Sequence, residues 1–431
     1  MKPISGKTEE NISRSLLVQA TQALTQVLTF AHPADAILSR HFRDHREIGL
    51  RDRAFIAETL YNVLRRLRWL RRLAGEEATP RQLLLAWLAR GEGWPIRQFE
   101  NLASPTERDW ITALKARTLD EGTLAEQADL PDWLTERLLT TCDAEQVLAL
   151  AHSLNRPAPL DLRVNSLKND RDTVLARLQA ENIEAFAGTL SPYAIRLPKK
   201  IALQKHPLFL DGTLEVQDEG SQLLSFLLQP RRGEMVVDFC AGAGGKTLQL
   251  GAMMRSTGRL YAFDISEKRL AQLKPRMARA GLSNVHPVLL AHERDAKLKR
   301  MAGKADKVLV DAPCSGLGTL RRNPDLKWRQ TPESVREMTD KQSAILTAAA
   351  RLVRPGGRLV YATCSLLPEE NDVIVDHFLS THPAFQPLKA ESLLAEQGIT
   401  LHTGTRLHLS PQHNNTDGFF AAVLERNKDT L

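Results

Sequence analysis

From residue 233 onward, short runs of β-branched and apolar residues alternate with stretches of helical periodicity, and no other feature of the sequence constrains the fold as strongly. Strands that alternate with helices in this way form a parallel sheet with helices packed on its faces. The runs are EMVVDF, GRLYAFDI, NVHPVLL, KVLVDAP and GRLVYATC, with DGFFAAVLE as a further strand near residue 420. The pattern predicts a doubly wound α/β domain over residues 231–431.

Two further domains are predicted ahead of this sheet. Residues 1–155 carry apolar positions at helical spacing and no strand signal, which predicts a helical domain. Within it, Asp143 and Gln146 have the spacing of a capping box at a helix start. Residues 156–230 follow a proline-marked linker and mix strand-like with helix-like segments, so we expect a small α/β module that ends in the helix VQDEGSQLLSFLLQ.

The charge of the chain indicates a polyanionic partner. The net charge is +7 and the isoelectric point is about 9.3. Arginines are concentrated in the first domain, at Arg40, Arg43, Arg46, Arg51, Arg53, Arg65, Arg68 and Arg72. They form either a solvated face or a surface that binds RNA phosphates. No run approaches the ~20 apolar residues of a membrane span, and MKPISGKTEE lacks the apolar core of a signal peptide. We therefore expect a cytosolic protein that binds no membrane. We also expect it to act as a monomer.

The four cysteines form no CxxC pair, so the sequence predicts no metal site and no structural disulfide. They are Cys142, Cys240, Cys314 and Cys364. Each is therefore considered as a buried apolar residue or as a reactive thiol.

A glycine-rich turn follows the first strand of the sheet domain and runs from Asp238 to Thr247. It lacks the GxxxxGK[ST] of a phosphate-binding loop and the third glycine of a dinucleotide site. Asp264 ends the second strand about 20 residues later, where a carboxylate accepts hydrogen bonds from ribose hydroxyls. These features indicate S-adenosyl-L-methionine, a nucleoside without phosphates. The residues predicted to contact it are Cys240, Ala241, Gly242, Ala243, Gly244, Gly245, Lys246, Asp264, Asp295 and Asp311.

Asp295 is the least constrained of these residues. It follows the third strand, where a carboxylate can reach an adenine, and the alternative is an ordinary surface aspartate.

Two cysteines and one aspartate follow the fourth and fifth strands, in DAPCSG and YATCS. Ligands of an open α/β sheet bind at the carboxyl ends of its strands, so Asp311, Cys314 and Cys364 are predicted to converge there. A thiolate that adds to carbon 6 of cytosine makes carbon 5 nucleophilic enough to accept a methyl group. A carboxyl near ring nitrogen 3 would stabilise the charge, and Asp311 is the candidate. Methylation of a purine amino group needs no thiol.

The motifs resemble those of the Sun-type (Fmu) RNA cytosine-5 methyltransferases, in their bacterial 16S ribosomal RNA branch. The matching segments are Arg163 to Asn165, Val216 to Asp218, CAGAGGKT, Asp264, DAPCSG, YATCS with LPEEN, and DGFF. The resemblance implies that Cys364 is the nucleophile and that Cys314 helps to release the product. It also implies that Asp311 contacts the base and that Lys246 lies near the reacting centre.

The resemblance extends to the other domains. It implies a NusB-like RNA-binding domain over residues 1–155, an RRM-like module over 156–230 and a Rossmann-like class I methyltransferase domain over 231–431. Two positions depart from the family pattern: the turn has Ala-Gly-Ala-Gly-Gly in place of Ala-Ala-Pro-Gly-Gly, and the segment before Asp295 lacks a glycine. Transfer RNA as the substrate, and a ribosome-assembly protein without catalysis, remain alternatives to 16S rRNA methylation.

The loop LGTLRRNPDLKWRQ after Cys314 carries further basic residues. Arg321, Arg322, Lys327 and Arg329 are predicted to contact RNA phosphates beside the active site. For Trp328 among them, packing in a core is favoured over stacking on a base.

Overall fold

In the computed structural model of the chain, residues 12–199 and 201–428 are described. They divide into two compact units. The first contains the residues up to Arg156 together with Leu320–Thr331, and the second contains Pro157–Thr319 and the residues from Pro332 onward. The predicted border at residue 230 falls inside the second unit, and the division into three domains stays a prediction.

The first unit is helical, as predicted. Its helices are Arg14–Val27, Ala34–Asp44, Leu50–Arg65, Leu67–Ala74, Pro80–Ala86, Pro105–Ala116, Leu124–Ala128, Asp132–Leu138 and Ala144–Leu154. The capping box at Asp143 and Gln146 is confirmed, because each side chain accepts a hydrogen bond from the backbone N–H of the other. The core is built mainly of leucine and alanine from the first six helices.

Three of the arginines predicted to face solvent or RNA make hydrogen bonds or ion pairs with groups of this unit. Arg65 is 7% exposed and donates to the backbone oxygen of Arg321. Arg68 donates to the Leu130 oxygen and pairs with Asp132. Arg72 pairs with Asp120 and Glu126. The prediction is wrong for Arg65, which is buried, whereas Arg68 and Arg72 are partly exposed, and their contact with RNA stays a prediction.

The segment Leu320–Thr331 packs into the helical unit, although it is distant from that unit in sequence. Its helical turn, Leu326–Arg329, presents Trp328, whose indole donates to the Leu64 oxygen at 2.8 Å. The core position of Trp328 is therefore confirmed. The phosphate-binding role predicted for Arg321 and Lys327 is wrong, because they are 5% and 0% exposed.

Lys327 is buried because oxygen atoms surround its ammonium group. It donates to the backbone oxygens of Arg65 and Asp129 and to Asn155 Oδ1, at 2.6–2.9 Å. Arg65 ends the helix Leu50–Arg65, where carbonyl groups lack helical partners and attract cations. Burial lowers the pKa of Lys327 to about 7. The half-buried Arg322 and Arg329 remain candidates for phosphate contacts.

The second unit begins with a small four-stranded antiparallel sheet. Its strands are β1 (Leu160–Val164), β2 (Phe186–Ala187), β3 (Ala194–Leu197) and β4 (Leu214–Val216), in the order β2-β3-β1-β4. The helices Arg171–Ala180 and Pro207–Leu210 accompany it. One predicted boundary was wrong: Val216 ends β4, and the next helix begins at Glu219 because the Asp218 carboxylate caps its first N–H groups.

The large sheet of the second unit has a parallel and an antiparallel part. Its strands are β5 (Met235–Asp238), β6 (Arg259–Asp264), β7 (Val285–Leu289), β8 (Ala305–Asp311), β9 (Val353–Thr363), β10 (Phe385–Leu388), β11 (Leu407–Leu409) and β12 (Phe419–Arg426). The order is β10-β12-β9-β8-β5-β6-β7, with β11 paired to β12. The strands β5 to β9 pair in parallel, as predicted, whereas β12 runs antiparallel to β9.

Helices cover both faces of this sheet. They are Glu219–Leu228, Gly245–Met253, Glu267–Ala280, Pro332–Ala350, Asp372–Thr381, Ala390–Ala395 and Pro411–Asn414. Alternate residues of β9 enter two separate cores, with Val360 in one and Tyr361 in the other. The strand order reverses at β5, which has β6 on one side and β8 on the other, and ligands of such sheets bind at the carboxyl ends beside this reversal. No helix within the described ranges is long and apolar enough to cross a membrane.

Candidate active site

The glycine-rich turn lies directly after β5, and a helix begins at Gly245. Gly242 and Gly244 have left-handed backbones, with φ of +57° and +90°. A Cβ at Gly244 would lie 2.2 Å from Leu273, so that position requires glycine. At Gly242 and Gly245 no described atom lies within 4 Å of an added Cβ. The backbone of the turn is therefore open to a ligand at these two positions.

Asp264 fixes the shape of the turn. Its carboxylate accepts from the backbone N–H of Gly242 at 2.8 Å and from that of Ser266 at 2.7 Å, one bond on each oxygen. A carboxylate oxygen has a second lone pair, so both oxygens can still accept from the hydroxyls of a ribose. This geometry fits the nucleoside part of S-adenosyl-L-methionine.

Asp238 lies at the end of β5 and is 1% exposed. Thr247 donates to its Oδ2 at 2.7 Å, while Oδ1 has no hydrogen-bond partner among the described residues. Burial raises the pKa of Asp238 to about 7. Asp238 therefore ties the end of β5 to the first turn of the helix that begins at Gly245.

Two arginines outside the predicted site hold the outer side of the turn. Arg163 in β1 donates to the Gly245 oxygen at 2.7 Å, and Arg276 donates to the Ala243 oxygen at 2.6 Å. Sequence reasoning noted Arg163 only as part of a matching motif and missed Arg276. Arg276 thus satisfies a carbonyl of the irregular turn, and Arg163 contacts a carbonyl at the start of the following helix.

The two predicted cysteines meet at the carboxyl ends of β8 and β9. These strands are adjacent and parallel, with Asp311 opposite Ala362. The sulfur atoms of Cys314 and Cys364 are 3.3 Å apart, and both side chains are half-buried. The convergence predicted from the sequence is therefore present in the structure.

The backbone of Cys364 is held by two glycines that the sequence analysis did not single out. The Gly318 N–H donates to the Cys364 oxygen at 2.9 Å, and the Gly418 N–H donates to the Gly318 oxygen at 2.8 Å. A Cβ at Gly318 would lie 2.3 Å from the Gly418 oxygen. The DGFF segment thus contributes a glycine that permits this close approach.

Lys246 and Asp311 form an ion pair with 2.5 Å between Nζ and Oδ2. The lysine follows the glycine turn and the aspartate ends β8, so the pair joins the turn to the cysteine-bearing strands. Burial acts to lower the pKa of Lys246, but the charge and hydrogen bond of Asp311, together with the negative charges of Cys364 and Asp238, outweigh it and raise the pKa. Lys246 is therefore a stable cation.

The thiols of Cys314 and Cys240 are both held in the protonated form. The hydrogen bond with Cys364 raises the pKa of Cys314 well above its ordinary value, and burial and the negative charges of Cys364 and Glu370 add to the effect. Burial raises the pKa of Cys240 in the same direction. Since the thiolate is the reactive form, Cys240 is an unreactive thiol of the turn, and its predicted contact with the cofactor stays a prediction.

Asp295 has a local role. Its carboxylate accepts from the backbone N–H of Ala291 and of Lys297, both at 2.9 Å, and caps the short helix Ala296–Met301. These bonds explain the aspartate without a ligand, and its contact with an adenine stays a prediction.

The fold and this arrangement define a class of enzyme. A doubly wound sheet that carries an open, aspartate-supported turn at its reversal point, next to a charge pair and two thiols, is that of an S-adenosylmethionine-dependent methyltransferase with a Rossmann-like domain. Residues 225–425 match the model of the 16S rRNA methyltransferase RsmB/F family, and residues 130–204 match the ferredoxin-like domain of RsmF/B-like methyltransferases.

Relatives of the chain agree with this match over nearly its whole length. The ribosomal RNA small subunit methyltransferase B of Sodalis glossinidius is 32% identical over 439 residues, which cover 95% of this chain and 97% of the relative. That of Vibrio vulnificus is 31% identical, over 88% and 92% of the two chains. The chain belongs to the 16S rRNA methyltransferase RsmB/F family, and it is an S-adenosylmethionine-dependent rRNA methyltransferase.

A solved structure has the same fold. The crystal structure of PH0851 is 26% identical in sequence and superposes with a TM-score of 0.81, over 99% of this chain and 100% of the other.

Proposed function

We propose that this enzyme methylates carbon 5 of a specific cytosine in 16S ribosomal RNA, with Cys364 as the nucleophile. The observation that carries the proposal is the pair of thiols, 3.3 Å apart at the ends of adjacent strands and next to the Lys246–Asp311 ion pair. Methylation of an exocyclic amino group requires neither thiol.

The proposed reaction begins with Cys364. Its thiolate adds to carbon 6 of the cytosine, so that a carbon–sulfur bond forms and electron density reaches carbon 5. When bound, S-adenosyl-L-methionine supplies a methyl group on a positively charged sulfur, which carbon 5 attacks. A base then takes the carbon 5 proton, the electrons of that bond form the double bond between carbons 5 and 6, and the bond between carbon 6 and the sulfur of Cys364 breaks, which releases the thiolate.

Lys246 and Asp311 support the first of these steps. Negative charge develops at ring nitrogen 3 during the attack, so in the proposed step Asp311 acts as the acid: it carries a proton to nitrogen 3, while Lys246 stays hydrogen-bonded to its Oδ2. The Lys246 cation also faces Cys364, and a neighbouring cation stabilises a thiolate. Cys314 keeps its proton, which suits an acid–base role in product release rather than the attack.

Access to carbon 5 and carbon 6 requires the cytosine to leave its base stack. Exposed arginines on the helical unit, including Arg40, Arg43, Arg46 and Arg51, supply the positive surface for the surrounding RNA. The names of the relatives favour 16S rRNA over transfer RNA.

The proposal is tested with alanine variants of the cysteines. Cys364→Ala should abolish methyl transfer while S-adenosyl-L-methionine still binds, as measured by calorimetry. Cys314→Ala should accumulate a covalent complex with 16S rRNA that survives denaturing electrophoresis. Cys142→Ala makes the same change at a half-buried cysteine of the helical unit and should leave both readouts unchanged.

Bisulfite sequencing of RNA from a deletion strain identifies the substrate. A single 16S cytosine should lose its methyl group and regain it when the parent gene, but not the Cys364→Ala gene, is restored. Loss of methylation on transfer RNA alone would contradict the proposal.

A further inference from the structure

Glu370 is a fully buried carboxylate that joins the two cysteine-bearing turns. Its Oε1 accepts from the Ser315 backbone N–H at 2.8 Å, and its Oε2 accepts from the Ser315 hydroxyl at 2.5 Å and from the Ser365 hydroxyl. Ser315 directly follows Cys314, and Ser365 directly follows Cys364. The two hydroxyl groups are 3.2 Å apart. A single side chain thus fixes the distance between the segments that carry the thiols.

We infer that Glu370 is a positioning residue of the active site, which holds Cys314 and Cys364 in register and places its charge on the Cys314 side of the thiol pair, so that Cys364 acts as the nucleophile. This inference rests on the proposed function. It assigns a task to a residue that does not itself touch the base or the cofactor.

The burial of Glu370 needs a reason beyond stability. Moving a carboxylate out of water costs several kcal/mol, and an apolar side chain of similar volume often stabilises a fold equally well. Here Gln342 also donates to Oε1, at 3.0 Å, so that every group facing the carboxylate is a donor. Such complete pairing keeps the charge in place between β8 and β9.

The backbone around Glu370 is anchored to β9. The Tyr361 hydroxyl donates to the Glu370 oxygen at 2.7 Å. The adjacent Asn371 accepts from the Thr363 hydroxyl at 2.6 Å and donates to the Ser365 oxygen at 3.1 Å. Because these contacts fix the backbone that carries the carboxylate, a movement of Glu370 would move the Cys364 turn with it.

Opposite charges flank the thiol pair. The Lys246 cation faces Cys364, with Asp311 as its partner, and the Glu370 carboxylate faces Cys314. After the hydrogen bond with Cys364 and burial, the negative charges of Cys364 and Glu370 contribute to the raised pKa of Cys314. Tyr361 also faces Cys314 and Glu370, and its pKa is raised well above the ordinary value, first by burial, so it stays neutral. These surroundings favour the protonated thiol at Cys314.

Three variants separate charge from position. Glu370→Gln removes the charge at nearly constant shape, and Glu370→Asp keeps the charge but is too short to reach both serines. Glu369→Gln removes the same charge one residue away and is the matched control. Alkylation of each cysteine by iodoacetamide is followed against pH by mass spectrometry on the full chain without RNA, and methyl transfer is followed in single turnovers on unmethylated 16S rRNA.

In Glu370→Gln, half-maximal alkylation of Cys314 should move down by about one pH unit, with a smaller shift for Cys364. Methyl transfer should slow by about 10- to 100-fold, because glutamine keeps only one acceptor oxygen and its NH2 group then faces groups that donate to the carboxylate. Glu370→Asp should slow methyl transfer without moving the Cys314 profile. Glu369→Gln should leave the profiles and the rate at their parent values.

The inference is overturned if Glu370→Gln leaves the Cys314 profile unchanged or shifts both cysteines equally, which a loosened structure would do. If Glu370→Gln fails to fold, the test rests on Glu370→Asp. A rate of methyl transfer equal to that of the parent in this variant overturns the positioning role. RNA that contains 5-fluorocytidine separates this outcome from failure of the proposed function. The parent must form a covalent adduct with that RNA and Cys364→Ala must not, whatever Glu370 does.

Discussion

The helical unit and the sheet unit each contain a fully buried ionisable side chain, Lys327 and Glu370. The two side chains differ in where their hydrogen-bond partners lie. Lys327 in the helical unit donates to two backbone oxygens and an amide oxygen, all of which belong to structural segments. Glu370 in the sheet unit accepts from residues that directly follow the two thiols. Both are 0% exposed. Burial of a charge alone therefore does not indicate whether a residue has a structural role or a role in the active site. The position of its hydrogen-bond partners relative to the thiols does.

The largest effect is expected at the reacting centre of the sheet unit. Asp311→Asn should lower the rate of methyl transfer by about 10³-fold, since it removes the carboxyl assigned to ring nitrogen 3 and uncouples Lys246. The melting temperature should change little, because Asp311 is partly exposed. The rate is measured in single turnovers and the melting temperature by calorimetry. A variant that unfolds early but keeps its rate would break the comparison between the units.

The converse result is expected in the helical unit. Lys327→Met should reduce the free energy of unfolding by about 3 kcal/mol, because three buried oxygens lose their donor. Chemical denaturation measures the loss, and S-adenosyl-L-methionine affinity, measured by calorimetry, should stay at the parent value. Lys304→Met replaces an exposed lysine and should stay within about 0.5 kcal/mol of the parent. Weakened cofactor binding in Lys327→Met would remove the distinction.

A pH-dependent effect is expected at Asp238, the buried carboxyl under the glycine turn. Its pKa is raised from 3.8 to about 7, so between these pH values the folded state keeps a proton that the unfolded state loses. The contribution of Asp238 to stability therefore falls as the pH rises through this window and is constant above it. Asp238→Asn lacks this loss and should be more stable than the parent by about 2 kcal/mol at pH 5.5, midway through the window. At pH 4 the two should unfold alike, and a constant difference in melting curves between pH 4 and 8 would contradict the assignment.

The smallest effects are expected for two arginines of the helical unit, one of which should affect RNA binding and the other stability. Arg43 is exposed, so Arg43→Ala should weaken 16S rRNA binding severalfold and reduce the slope of log affinity against log salt by about one. Arg68 pairs internally, so Arg68→Ala should lower the unfolding free energy by about 1 kcal/mol and leave the salt slope unchanged. Filter binding at several salt concentrations and thermal melts test both variants. Equal salt slopes for the two would mean that exposure does not identify the RNA-binding arginines.

The sequence was sufficient to predict the parallel strands, the glycine turn and the meeting of the two thiols, because each depends on local pattern and on the rule for strand ends. Short edge strands were missed: β10 contains Pro387 and β11 has three residues, so neither shows a strand-like alternation. The orientation of β12 was also beyond the pattern, because this strand is buried on both faces over most of its length and therefore has the continuous apolar run that is typical of a parallel strand.

The misassigned residues have partners distant in sequence. Lys327 looked like a surface lysine because its acceptors lie 172 to 262 residues away. Glu370 was noted only as part of the LPEEN segment, and only the folded arrangement brings Ser315 and Gln342 to it. Local periodicity contains no information about such contacts.

The segment Leu320–Thr331 also affects which fragments of the enzyme can fold and how the helical unit folds during synthesis. A fragment that stops at residue 156 would lack Trp328 and Lys327 and would leave the carbonyls of Leu64, Arg65 and Asp129 without these donors. On the ribosome, the helical part emerges first but waits for more than half of the sheet unit to be synthesised before its core is filled. The nascent helical part is thus exposed to chaperones and proteases for that interval, and the unit is best excised with residues 320–331 reattached by a short linker.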